Sequence, residues 1–398
     1  MMPTSSRFFL FLILCVGCAT SDSQVTIAVS ETAGLDREIE YISTTIRFER
    51  QPEVNDMLFA KDLENDSSAP VQVLEAIRNE GGVHCDILFP VAISANQTKK
   101  FEISIEEKMR DALPVQLMLS EDKLSVENRY YKAHFSAEND QRGGQVNGII
   151  LKDFEDQILR RGHIAMHWAP NFSKSDSESY FNMEDLPSSS EHSVKREVYR
   201  VVKERLGIAD SVPEIYVEGR YEFYADLPYF LFESTMTMHE DVELDLLRND
   251  EMTMDSLFTH VIYPKREGSV GHLRLYGREL DILDDNPITD DANWVAFYNE
   301  DRDYGFASIR LKYDNSNLKG SASPTYRPYT KISRASGNGR YWNRVLSDTI
   351  QTFPKGSRYH EKNAYLIFRT DIKLPEKELL YYAERLINPL KVVVGQNH

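Results

Sequence analysis

Apolar and polar residues alternate singly along much of the chain. Residues 25–29, 42–48, 86–93 and 100–105 each follow a period of two, and Asn96-Gln97 supplies a turn before the last of them. That pattern predicts strands of a small N-terminal β-sandwich over residues 25–115. Within it, residues 70–79 read as one short helix. A break at Asp111-Ala112-Leu113-Pro114 precedes a second unit, residues 120–398. Strand-like runs recur there at 125–135, 146–151, 214–224, 229–238, 270–276, 294–299, 306–313 and 364–371. Their spacing between turn signals predicts large antiparallel sheets, and no repeat of solenoid or propeller length is present. Two helices are expected, one over 194–205 after Ser188-Ser189-Ser190 and an amphipathic one over 376–387 after Pro375.

The opening of the second unit carries a more specific signal. Glu127-Asn128-Arg129-Tyr130-Tyr131 is followed by Gly143-Gly144 and a strand ending in Lys152-Asp153. This strand, Gly-Gly turn and strand resembles the entry to the galactose-mutarotase-like supersandwich, and it covers only the start of that domain. The resemblance implies a mainly β chain, a small N-terminal β-sandwich followed by a large antiparallel β-supersandwich. That build is similar to several polysaccharide lyases. It implies their Asn, Arg, His and Tyr set, although the helical toroid that often precedes the supersandwich has no room here.

Composition narrows the partners. The chain has 398 residues, 46 Lys+Arg against 63 Asp+Glu and a formal charge of −17. Nucleic acid and anionic membrane surfaces are poor partners for it. Of the 3 Cys, only Cys85 lies beyond the N-terminal apolar stretch, which excludes a disulfide framework or a cysteine metal cluster within one chain. Residues 1–17 read as a signal peptide, with Arg7 ahead of an apolar run at 8–16 that is too short to span a bilayer. Cys15-Val16-Gly17-Cys18 resembles a bacterial lipobox. Lipidation at Cys18, a tether over 18–24 and export to the periplasm or cell surface follow, with the membrane reached only through a lipid anchor. A plain signal peptide cut near Ala19 is the alternative, and it too exports the chain.

Three segments hold candidate chemistry. The first is Arg161 to Asn171, with His163 and His167 at even spacing, Trp168 able to stack on a sugar ring, and Asn171 as a polar contact. A buried Trp beside one structural His is its plainer reading. The second is Leu247 to His260. Arg248 can clamp a carboxylate, Asn249 can donate to it, and His260 can act as acid or base. Alternatively Arg248 is paired with Asp250 or Glu251. The third is Ser333 to Arg344, where Arg334, Arg340 and Arg344 flank Tyr341 and Trp342, favouring a phenolate at Tyr341. Otherwise it is a basic loop with Trp342 as its core anchor. No cofactor is called for. A zinc site from His167, His260 and Asp250 or Glu251 lacks any tight ligand spacing, and a structural divalent metal stays open. Gly-x-Ser-x-Gly, phosphate-binding and dinucleotide motifs are absent.

These residues lead to a carbon–oxygen lyase acting by β-elimination on a uronic-acid polysaccharide or oligosaccharide. His260, Tyr341, His167, Arg248 and Asn249 are the catalytic candidates, and Trp168, Asn171, Arg340, Trp342 and Arg344 the substrate contacts. The first alternative is a glycoside hydrolase on the same fold, drawing two carboxylates from Glu233, Asp250, Glu251 and Asp255. The second is a glycan-binding lipoprotein using Trp168, Trp294 and Trp342 as platforms.

Overall fold

The computed structural model describes residues 25–395 apart from 49–56, 80–81, 107–115, 138–142, 162–164, 178, 188, 336–337 and 372. The expected signal, the tether with Cys18, and His163 lie outside the described residues. The chain is mainly β, with antiparallel pairing throughout its sheets.

The first unit contains β1 (Val25–Ser30), β2 (Arg37–Phe48), β3 (Met57–Asp62), β4 (Ser68–Asn79), β5 (Gly82–Ile93) and β6 (Thr98–Glu106). The order is β2-β5-β4-β3-β6-β1. Alternation buries Val25, Ile27 and Val29 on one side against Cys85, Ile87 and Phe89 on the other. β4 serves both halves: Ser68 to Val71 pair with β3, and beyond Val71 the strand pairs with β5 across a bulge between Val73 and Glu75. The helix expected over 70–79 is therefore a strand. Leu74-Glu75-Ala76 favours helix locally, but ladders on both sides outweigh that preference.

The second unit has three sheets. One is formed by β7 (Met118–Leu119), β8 (Ser125–Glu127), β9 (Tyr131–Phe135), β10 (Val146–Leu151) and β11 (Gln157–Arg160). The chain continues through β12 (Asn171–Lys174), β13 (Tyr180–Asn182), β14 (Glu191–Arg196), β15 (Arg200–Ala209), β16 (Val212–Tyr224), β17 (Tyr229–Met238) and β18 (Val242–Met254). Next come β19 (His260–Pro264), β20 (Val270–Arg274), α1 (Asp281–Asp285), β21 (Ile288–Thr289), β22 (Trp294–Asn299) and β23 (Tyr304–Asp314). It ends with β24 (Tyr329–Arg334), β25 (Arg340–Ser347), β26 (Gln351–Phe353), β27 (Arg358–Arg369), α2 (Lys377–Ile387) and β28 (Lys391–Val394). A seven-stranded sheet runs β13-β12-β18-β25-β24-β21, with β26 also paired to β18, and a nine-stranded sheet runs β14-β15-β16-β17-β27-β23-β22-β19-β20.

One core joins all three. Phe135 and Ile149 from the first sheet and Met252, Ile332 and Trp342 from the seven-stranded sheet share a cluster with Phe230, Phe297, Phe306 and Tyr365 of the nine-stranded sheet. Burial of each Phe contributes about 2 kcal/mol, so this layer dominates the unit. The helix expected over 194–205 is instead the β14–β15 hairpin, closed by Glu197 N–H donating to the Arg200 carbonyl at 2.8 Å. The terminal helix forms as expected and sets Leu379 and Ala383 on the opposite face of the nine-stranded sheet, over Leu366 and Ala364. β28 then adds to β1 of the first unit. Arg37 fixes that junction by donating to the Arg385 carbonyl at 3.1 Å.

Gly305 on β23 lies opposite Phe368, whose ring occupies the space a β-carbon would need, at 2.1 Å. Gly305→Val is expected to cost about 1–3 kcal/mol, read by chemical denaturation. Wild-type stability for that variant would mean the Phe368 ring moves aside freely.

Candidate functional site

Strand β18 sorts the candidate residues. Its register with β25 slips between Leu247 and Arg248 and again between Arg248 and Asp250. A bulge of this kind re-aims neighbouring side chains. Consequently Asn249 and Asp250 both reach the nine-stranded sheet, while Arg248 and Glu251 lie together on the other face. Asn249 Nδ2 donates to Glu361 at 3.1 Å, and the Ser308 hydroxyl donates to Asp250 at 2.7 Å. On the other face Arg248 Nη1 donates to Glu251 Oε2 at 2.8 Å, and Asn171 Nδ2 donates to the same oxygen at 3.3 Å. The pairing of Arg248 with Glu251 is the plainer of the two sequence readings.

His167 is fully buried. Its Nδ1 meets the Tyr221 hydroxyl and its Nε2 meets the Tyr365 hydroxyl at 2.9 Å. Tyr221 also contacts Gln145, and Tyr365 contacts Asp250 at 2.6 Å. Trp342 Nε1 donates to Asp250 at 3.2 Å. These contacts form one polar chain through the core from Gln145 to Asp250. Burial pushes the His167 pKa down to about 3. Burial, aided by the Glu361 charge, pushes Asp250 up to about 6. An ionised Asp250 accepts from Tyr365. No solvent reaches the imidazole, so this chain is a structural network and His167 is not placed to meet a substrate.

The remaining candidates scatter. His260 stacks on Tyr298 at 5.0 Å, with Thr259 at 2.9 Å. Its neighbour Val261 faces the core, so His260 lies on the helix-covered side of the nine-stranded sheet. Tyr341 alternates with core-facing Trp342 and occupies the outer face of the seven-stranded sheet. The core layer therefore separates His260 from Tyr341. Arg340 Nε donates to the Leu275 carbonyl at 2.7 Å, and Arg344 binds Asp290 at 2.5 Å and Glu361 at 3.4 Å. Trp342 is completely buried and is the anchor of its segment. Among the described residues no group of three or more His, Cys, Asp or Glu is arranged to hold a metal ion.

An open groove lies beside the β12–β13 hairpin, with a volume of about 790 Å³. Trp168, Phe172 and Tyr180 line it, with Lys174, Asp176 and Asp185 among its polar residues. The hairpin fixes these side chains. Lys174 Nζ is bound to Glu214 at 2.9 Å, and Asp185 accepts from the Asn182 amide at 3.1 Å. Tyr180 is 59% exposed, and the Arg248 guanidinium lies 5.8 Å from its ring centre. The groove thus adjoins the Arg248–Glu251–Asn171 cluster. Burial raises the Glu251 pKa against the opposing pull of Arg248. Of the residues singled out from the sequence, Trp168 lines this groove and Asn171 and Arg248 adjoin it, whereas Tyr180, Asp176 and Asp185 were not among them. Their signal was the serine-rich turn following the Trp168 segment, a loop of the type that carries function.

No protein-family model matches the sequence, and no curated protein does. Solved structures do match by shape. A family 38 glycosyl hydrolase protein from Enterococcus faecalis aligns with a TM-score of 0.56 at 10% identity, covering 94% of this chain and 48% of that one. An alpha-mannosidase from Enterococcus faecalis V583 aligns with a TM-score of 0.58 at 10% identity, covering 94% of this chain and 46% of that one. The chain shares the β-sandwich fold of these carbohydrate-active enzymes. It spans about half of their length. Both are hydrolases, which corrects the expectation of a carbon–oxygen lyase. The separation of His260 from Tyr341 agrees with that correction.

Proposed function

We propose that this chain recognises a neutral glycan as part of a glycoside-hydrolase type of architecture, holding it in the groove beside the β12–β13 hairpin. The observation that carries this reading is the groove itself, where Trp168 and Tyr180 stand with polar groups in a space suited to a sugar. The arginines expected to hold a uronate carboxylate are matched inside the protein. Arg248 binds Glu251, Arg344 binds Asp290, and Arg340 binds backbone carbonyls. A neutral ligand therefore suits the groove better than an acidic one.

Trp168→Ala is expected to weaken binding of neutral polysaccharides at least about tenfold, the loss of one aromatic platform, in affinity electrophoresis and calorimetry. Equal binding by variant and wild type would remove the groove from the reading. Tighter retention by uronate polymers than by neutral ones would overturn the preference for neutral sugar. A second reading, hydrolysis by the chain itself, draws support from Asp176 and Asp185, two carboxylates in the same groove. Release of reducing ends from mannan, abolished in both Asp176→Asn and Asp185→Asn, would establish it. Binding without release would leave recognition alone.

A further inference from the structure

A second cavity of about 500 Å³ opens at the opposite edge of the seven-stranded sheet. Tyr326, Arg327, Tyr329, Thr289, Asp348 and Arg266 are among its lining residues. Tyr326 is 41% exposed. Arg327 adopts the left-handed backbone at φ 45°, a conformation that costs energy in a residue other than glycine. Its guanidinium sits 5.3 Å from the Tyr326 ring centre, and among the described residues it has no carboxylate partner. The Tyr329 hydroxyl donates to Asp348 at 2.9 Å.

Register connects this cavity to the groove. Asn182 pairs with Asn171, Asn171 with Arg248, Arg248 with Val345, Val345 with Tyr329, and Tyr329 with Thr289. That is one row of paired residues across six strands, spanning about 24 Å at the usual strand spacing. Asn182, Asn171 and Val345 in it are buried, so a ligand above the row meets the part-exposed Arg248, Tyr329 and Thr289 and the exposed Tyr180. Tyr180, two residues before Asn182 on the same face of the strand, lines the groove at one end, and Thr289 and Tyr329 line the cavity at the other. Arg248 lies between, facing the Tyr180 ring on one side and acting on Tyr329 through its charge on the other.

We propose that the groove and this cavity are two subsites for one neutral oligosaccharide, which lies across the strands of the seven-stranded sheet with Tyr326 and Arg327 forming the far subsite. The inference rests on the glycan reading above and adds the length and direction of the ligand. Stacking on Tyr326 presents the hydroxyls of a sugar to Arg327 as donor and to Asp348 as acceptor. The preference for a neutral sugar comes from the groove, since Asp290 and Asp291 of this cavity already pair with Arg344 and Arg266. The row is longer than one sugar, so separate monosaccharides cannot reproduce the effect of a chain.

The test uses the full chain with a mannose-oligosaccharide series from monosaccharide to hexasaccharide, followed by calorimetry. Affinity should climb by about tenfold or more between disaccharide and hexasaccharide. Tyr326→Ala and Arg327→Ala should each remove most of that gain and leave disaccharide binding unchanged, while Trp168→Ala weakens both. Both far-subsite variants alter exposed side chains, and their thermal midpoints should equal that of wild type. Affinity that stops rising at the disaccharide, or a hexasaccharide unaffected by Tyr326→Ala, overturns the far subsite while disaccharide binding preserves the groove. If the wild type binds no member of this series nor any neutral polysaccharide, the glycan reading fails and the inference falls with it.

Discussion

Asp250→Asn is expected to gain stability relative to wild type by about 3 kcal/mol as pH rises from about 4 to about 6, and to keep that gain above it. The Asp250 carboxyl, ordinarily near 3.8, is pushed up to about 6 by burial and then by Glu361. A raised carboxyl holds its proton more tightly in the folded state. Its contribution is full below the unfolded value and is lost as pH climbs through the folded one. Asparagine copies the protonated side chain and escapes that loss. His167 has the opposite sense. Burial lowers it from 6.5 to about 3, so unfolding lets it charge, and stability is lost as pH falls through that window.

The two windows overlap between about pH 4 and 6. There the unfolded chain carries a proton on His167 and the folded chain carries one on Asp250. Folding moves that proton without changing the number bound, so the pair contributes almost no pH dependence in wild type. Each single variant exposes one half of the compensation. Asp250→Asn should lose stability on acidification through the His167 window, and His167→Gln should lose it as pH rises through the Asp250 window. Guanidinium unfolding across that range reads both slopes. Parallel profiles for wild type and both variants would show that the two groups do not exchange a proton on folding.

Trp342→Ala is expected to remove about 4 kcal/mol, a large part of the stability of a typical domain. The indole is completely enclosed, meets Phe297 edge-on at 4.8 Å and lies near Phe306. Truncation opens a cavity between the two large sheets and deprives Asp250 of one of its three donors. Trp342→Phe keeps a six-membered ring but loses the pyrrole part of the indole with its N–H, so it should cost less, about 1–2 kcal/mol. Chemical denaturation of the pair separates the loss of the whole ring system from the loss of its N–H end. Equal losses in the two variants would place the effect at the N–H end of the indole, and a loss below about 1 kcal/mol in both would mean the core refills.

Alternation made the strands legible because one face of each is buried, and Val25, Ile27 and Val29 show that pattern plainly. It failed at 70–79 and at the β14–β15 hairpin, where locally helix-favouring residues are held extended by backbone pairing with the strands next to them in the chain. The site divided in the same way. Trp168 and Arg248 could be picked out because their chemistry is intrinsic to the side chain. His260 and Tyr341 could not be placed, since one residue's shift along a strand decides which face a side chain takes. The bulge at Arg248 illustrates the difficulty: strict alternation would give Asn249 and Asp250 opposite faces, yet both reach the same sheet. The Asp250–Tyr365–His167 contacts join three distant segments and leave no local mark in the sequence.

The pairing of β28 with β1 also sets an order of events during synthesis. β1 is among the first described segments to leave the ribosome, and its last neighbour is among the final ones. Until the second unit has emerged and α2 has docked, the N-terminal sheet keeps a row of unpaired backbone groups on one edge, open to other nascent chains. Completion of the second unit thus covers β1 and leaves the four-residue β28 as the edge in its place, a shorter template for pairing, and a ribosome stalled late in translation would leave a chain with most of its core formed and β1 still unpaired on that side.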